Sequence, residues 1–157
     1  MSLFNKMAVA MIACGWLTAS NAASEVNTNT VTISFANNKS GEPGKTCSKS
    51  LPWHTNDYFN LSNMECGNDQ AYYFKVENFP AGAHLKLSSD KCNSTTDNFE
   101  FTVRGTKHPF QMEWMKISEV KNYQAGQMIK PGLKLVDRYF KNGGSYDGKL
   151  SCFYYWY

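Results

Sequence analysis

Apolar and polar residues alternate with period two from Val31 onward, and this pattern points to a sheet protein. Residues 30–36 (TVTISFA) put Val31, Ile33 and Phe35 on one face, and residues 71–79 (AYYFKVENF) put Tyr72, Phe74 and Val76 opposite Lys75. Residues 83–89 alternate Leu85 and Leu87 against His84 and Lys86. Residues 98–105 alternate Phe99, Phe101 and Val103 against Glu100, Thr102 and Arg104. Each run reads as a half-buried strand, polar on one side. Residues 132–140 and 149–157 continue the series, and DYFNL (57–61) predicts a further short strand. In residues 110–117, Phe110, Met112 and Trp114 share one phase while Met115 and Ile117 take the other. That predicts a strand that is bulged near Trp114 or covered on both faces, in preference to a helix from Met112 to Tyr123, which the spacing of Met112, Met115, Glu119 and Tyr123 also allows.

The connections carry turn chemistry. FPAGA (79–83) has Pro and Gly two apart, and KNGGSYDGK (141–149) packs Asn-Gly, Gly-Gly and Asp-Gly steps, which supply positive φ. NNKSGEPGKTC (37–47) and most of residues 52–69 read as long irregular loops. Strands about 8–12 residues apart with turns between them predict an all-β, antiparallel β-sandwich, jelly-roll or Ig-like, of about eight strands.

Residues 1–22 read as a signal peptide. Lys6 charges the start, residues 7–17 are uninterruptedly apolar, and TASNAA offers small residues for cleavage after Ala22 or one position later. The apolar run is shorter than the ~20 residues a spanning helix needs. MIAC (11–14) resembles a bacterial lipobox but lacks its usual leucine, and the apolar run continues past Cys14, so ordinary cleavage is preferred. Residues 23–157 then form a single secreted or periplasmic domain.

Leader removal leaves Cys47, Cys66, Cys92 and Cys152, the even number expected of two disulfides in an oxidising compartment. No CxxC pair or finger-spaced histidine suggests zinc. Three pairings are possible, and sequence does not separate them. Cys47 with Cys66 and Cys92 with Cys152 is preferred, because the second pair closes a long loop, for which chain entropy predicts ~4 kcal/mol. The net charge is only +3, with acidic and basic residues interspersed. No basic block points to nucleic acid.

The aromatics suggest a binding surface. Trp53 and His54 in a loop, Tyr58, and Tyr155 and Tyr157 in the terminal run LSCFYYWY are the candidate ligand-binding residues. Such rings have an apolar body and a polar tip, suited to sugar faces or lipid headgroups. In a terminal strand Cys152, Tyr154 and Trp156 project to one side and Phe153, Tyr155 and Tyr157 to the other. One row belongs in the core, and the other meets a second layer or lies open. Trp114 reads as core packing.

Catalysis has weaker support. His84 and Glu100 lie on outward faces of neighbouring strands and could meet as an acid–base pair, as in small secreted ribonucleases. No GxSxG, HExxH or P-loop pattern occurs. The Asp/Asn-rich stretches 57–69 and 89–98 read as turn formers rather than calcium loops. Sequons at Asn38, Asn60 and Asn93 matter only in a eukaryotic host. No metal or other cofactor is expected.

Two local resemblances bear on fold. The alternation of Phe153, Tyr155 and Tyr157 up to an aromatic last residue resembles the C-terminal signal of bacterial outer-membrane β-barrels. Membrane strands, however, need ~9–11 residues with a continuous apolar band, and the runs here are shorter and broken by charges. VENFPAGAHLKL (76–87) resembles the strand–turn–strand wording of bacterial surface sandwiches. The expectation is therefore a secreted binding protein or effector that engages a cell-surface glycan or glycoprotein through exposed aromatics. The alternatives are a toxin that binds membrane lipid through the same rings, or a small hydrolase or ribonuclease with a His/Glu pair.

Overall fold

In the computed structural model, which describes residues 29–92 and 98–157, the chain opens with a hairpin. Strand β1 (Thr30–Lys39) pairs antiparallel with β2 (Glu42–Pro52), turning through Ser40 and Gly41. Both turn residues have positive φ, 54° and 93°, the requirement of a tight two-residue hairpin turn. This corrects the reading of residues 37–47 as an irregular loop. The strand escaped notice because only Cys47 and Leu51 of β2 are buried, so it has almost no hydrophobic alternation. The leader, Cys14 and the sequon at Asn93 lie outside the described residues.

The remaining strands are β3 (Asp57–Asn60), β4 (Tyr73–Glu77), β5 (His84–Ser88), β6 (Phe99–Gly105), β7 (Met115–Lys116), β8 (Met128–Lys130), β9 (Leu133–Phe140) and β10 (Cys152–Trp156). They form two antiparallel sheets, ordered β2-β1-β4-β7 and β3-β10-β5-β6-β9-β8. The protein is thus an all-β sandwich, with two more strands, β2 and β8, than the alternation revealed. Residues 110–117 are another correction. Only Met115 and Lys116 form a strand, and a 3-10 turn over Ile117–Asn122 follows at once. Phe110 instead makes an isolated bridge to Phe79, and the Met112 N–H donates to the Val76 carbonyl at 3.1 Å. The change of phase at Trp114 marks where the chain leaves regular pairing. Trp114 is half-buried, with the Lys75 ammonium 5.7 Å from its ring.

The Pro-Gly turn after β4 carries the chain from one sheet to the other, since β4 pairs with β1 and β5 pairs with β10 and β6. Gly105, at the end of β6, packs so closely on the Pro80 carbonyl in this crossover that a Cβ would collide with backbone. The core lies between the inward rows, with Val31, Ile33, Phe35, Phe74 and Val76 from one sheet and Leu85, Leu87, Phe99, Phe101, Val103, Phe153 and Tyr155 from the other. Phe153 joins the layers. Its ring lies 5.2 Å from Phe35 in the opposite sheet and stacks on Phe59 at 4.8 Å. On β2, Lys49 shares the inward side with Cys47 and Leu51, yet its side chain is exposed, with the ammonium 5.4 Å from the Phe59 ring.

Two disulfides fasten the irregular segments. Cys47 bonds Cys66, tying β2 to the chain beyond β3, and Cys92 bonds Cys152, tying the segment after β5 to β10. Sequence separations of 19 and 60 residues correspond, on the loop-entropy account, to ~3 and ~4 kcal/mol. Two disulfides fit an extracellular or periplasmic protein. Among the described residues no helix is long and apolar enough to cross a membrane.

Phe153→Ala should lower the unfolding free energy by about 3–5 kcal/mol, because it empties the contact between the layers. Urea denaturation with the disulfides intact measures it, and a loss under about 1 kcal/mol would contradict the bridging role.

Candidate functional site

The terminal run folds as β10, which lies between β3 and β5 rather than at a sheet edge. Alternation then gives its two rows opposite fates. Phe153 and Tyr155 are wholly buried, whereas Tyr154 and Trp156 stand on the outer face and remain half-exposed. Tyr155 is therefore corrected as a ligand-binding candidate. Its ring packs edge-on to Phe79, 6.0 Å between centroids, and its hydroxyl donates to the Trp53 carbonyl at 2.8 Å. Burial, then the neighbouring Tyr157, pushes its phenol well above the ordinary value of 10, so it stays protonated and keeps donating.

The outer row forms a continuous line of rings across three strands. Tyr58 on β3 pairs in register with Tyr154 on β10, and Trp156 pairs with His84 on β5. Tyr58 stacks on Tyr154 at 4.1 Å, Tyr154 on Trp156 at 4.6 Å, and Trp156 on His84 at 4.8 Å, with interplanar angles of 13°, 21° and 5°. Four rings thus stand side by side on the sheet with their faces against one another. The faces of Tyr154 and Trp156 are used within the stack. Tyr58, on the edge strand and 49% exposed, keeps an open face. The Tyr154 hydroxyl donates to Asn56 Oδ1, which fixes that ring.

Beside the stack lies an ion pair. Lys86, opposite Tyr154, reaches Glu100 on β6 at 2.7 Å, and each side chain is one-third exposed. A pair so solvated contributes only about 0–1 kcal/mol to stability. Tyr58, Tyr154, Lys86, Ser88, Glu100 and the Cys92–Cys152 disulfide line a small pocket between the rings and the charges. Such a pocket offers an aromatic wall, an ammonium donor and a carboxylate acceptor at once.

The other candidates do not join this cluster. Trp53 is half-buried, packed edge-on to His108 at 4.6 Å, and its indole nitrogen is buried, so it is not the open loop platform its position suggested. His54 and Tyr157 are exposed and pair edge-to-face with each other at 5.1 Å, apart from the stack. The expected meeting of His84 and Glu100 does not occur. His84 sits opposite Arg104 and Glu100 opposite Ser88, four residues and roughly 13 Å apart along the strand. Glu100 is instead taken by Lys86.

Tyr154, Trp156, Lys86 and the ring of His84 escaped the sequence reading as binding residues. A signal was available, because Phe153 alone among the five terminal aromatics lacks a polar group. It belongs inside, and alternation carries Tyr155 in with it. Comparison with protein-family models, with curated proteins and with solved structures finds no match to this chain.

His84 has its pKa lowered from 6.5, first by burial against its neighbours and second by the Arg104 charge, with a backbone hydrogen bond at Gly82 opposing. Above pH 6.5 the ring is neutral in both folded and unfolded chains and pH has no effect through it. As pH falls below 6.5 the unfolded chain binds the proton first, and stability drops through the lowered folded pKa. His84→Phe keeps a ring on Trp156 without titrating. Urea midpoints measured from neutral to acidic pH should fall more steeply for the wild type than for this variant, and parallel curves would refute the assignment.

Proposed function

We propose that this protein is an exported binding protein that recognises a cell-surface glycan or glycoprotein at the outer face of its six-stranded sheet. The reading rests on one observation, the exposed ring of Tyr58 beside the Lys86–Glu100 pair; the pocket between them, about 30 Å³, is water-sized, so a sugar would lie across its mouth rather than inside it. A pyranose has an apolar face and a rim of hydroxyls. The open face of Tyr58 suits the first, through C–H contacts with the ring. Lys86 and Glu100 suit the second. Adjacent hydroxyls donate to the carboxylate and accept from the ammonium, so the ion pair exchanges water for sugar while each charge keeps a partner.

The stack makes the site rigid before ligand arrives. Tyr58 leans on Tyr154, which is held by Trp156 and by Asn56. Little side-chain entropy is then lost on binding. Because the inner faces of the stack are occupied, the site takes one sugar unit at its end rather than a flat run of several. A terminal or branching residue of a glycan is the fitting target. Two disulfides and the apolar segment at residues 7–17 support action outside the cytoplasm.

A glycan array probed with the wild type, Tyr58→Ala and Lys86→Ala tests the reading. The wild type should retain a family of glycans sharing a terminal residue. Both substitutions are on the surface, so Tm should hold while affinity falls about tenfold. An array with no wild-type signal, or signals indifferent to both substitutions, would eliminate this function.

A further inference from the structure

A second polar pocket lies between the 3-10 turn and the end of β9. Lys121, Asn122, Arg138, Tyr139, Asn142 and Tyr146 line it. We infer that this pocket is an anion subsite for an acidic saccharide, one that carries a carboxylate or sulfate group.

The cations there are held but not neutralised. Arg138 donates from Nη1 to the Lys121 carbonyl and from Nη2 to Gln124 Oε1 at 3.0 Å. A guanidinium has five N–H donors, so three are left for an incoming oxyanion. The Lys121 ammonium stands 5.4 Å from the Tyr146 ring, and the Tyr146 hydroxyl is fixed to the Lys141 carbonyl at 2.5 Å. Among the described residues, neither Lys121 nor Arg138 has a carboxylate within ion-pair distance. Asp137, next in sequence, pairs with Thr102 across the strands and holds the backbone N–H of Arg138 with its own Oδ1. Both cations line the same pocket, where an oxyanion would accept from the guanidinium and from the ammonium.

The rest of the lining decides what carries that anion. Asn122 and Asn142 supply amides, each both donor and acceptor, which match vicinal hydroxyls. Tyr146 stands edge-on to Phe140 at 5.1 Å, and the 54%-exposed Tyr139 adds a ring at the rim. Cations, amides and rings fit an acidic sugar, and because Met128 and Val136 are exposed on β8 and β9, binding to lipid vesicles is the competing outcome of the test. The pocket shares no lining residue with the one between Tyr58 and Glu100, although Tyr139 at its rim sits opposite Glu100 across β6 and β9, so Lys121→Glu and Tyr58→Ala test the two apart.

Titration calorimetry with a heparin-derived hexasaccharide and its desulfated, carboxyl-reduced counterpart tests the assignment. The wild type should bind the acidic form, more weakly as salt rises, and should not bind the neutral form. Lys121→Glu, at an exposed position, should weaken binding about tenfold or more, and Arg138→Gln should do likewise. Lys107→Glu, an equal change of charge elsewhere on the surface, should leave binding intact. Absence of binding, equal affinity for the neutral sugar, or retention of affinity in Lys121→Glu would each overturn the inference. So would preferential binding to phosphatidylserine-containing vesicles over the hexasaccharide.

Discussion

The burial of Phe153 and Tyr155 between two neighbouring strands is the constraint on which the rest of the molecule depends. Because β10 has a partner on each side, its inward row is committed to the core and its outward row is set at a fixed spacing on the surface. The same five residues therefore supply the contact between the layers and half of the aromatic stack. The Tyr155 hydroxyl carries this order further, since it fastens the Trp53 loop just before β3, the strand that brings Tyr58 alongside Tyr154. Core and surface are coupled through backbone alternation alone, with no separate scaffold for the site.

Stacking shapes what such a surface can do. A platform for a long polysaccharide needs ring faces turned to solvent in one plane. Here the rings turn their faces to one another and their edges outward, so extended contact is lost and a defined end position is gained. Ring edges carry the positive end of the aromatic quadrupole, which suits oxygen-rich ligands. In the proposed glycan site the Lys86–Glu100 pair would add direction, because a donor and an acceptor at fixed places distinguish one arrangement of hydroxyls from another.

How much of this could be read from the sequence follows from where each residue's physics is local. Strands with one apolar face, such as the runs around Ile33, Phe74, Leu87 and Phe101, are announced by their own side chains. β2 is not, because an edge strand with a hydroxyl-rich outer face needs few apolar residues. Its Thr46, Ser48 and Ser50 look like loop composition until they pair with β1, where the Ser48 and Ser50 hydroxyls bond Ser34 and Thr32 at 2.8 and 3.0 Å. The site is harder still. Tyr58 drew attention as an exposed ring, but its stacking partner Tyr154 comes from a strand about 100 residues on, and Lys86 and Glu100 from two other strands, and only register joins them. The His84–Glu100 expectation failed for the same reason. The right face was inferred, and the wrong rung of the ladder was assumed.

The charge that β2 carries on its inward side has a wider meaning. Among the described residues β2 is the longest strand with an unpaired edge, and such an edge invites a second chain to add on. An incoming strand would have to pass the Lys49 ammonium where it emerges over Phe59, and would find Pro43 and Pro52 near the two ends, each without an N–H to offer. An inward-side charge and a proline near each end are features that disfavour strand addition, so this border is a poor template for a neighbouring copy.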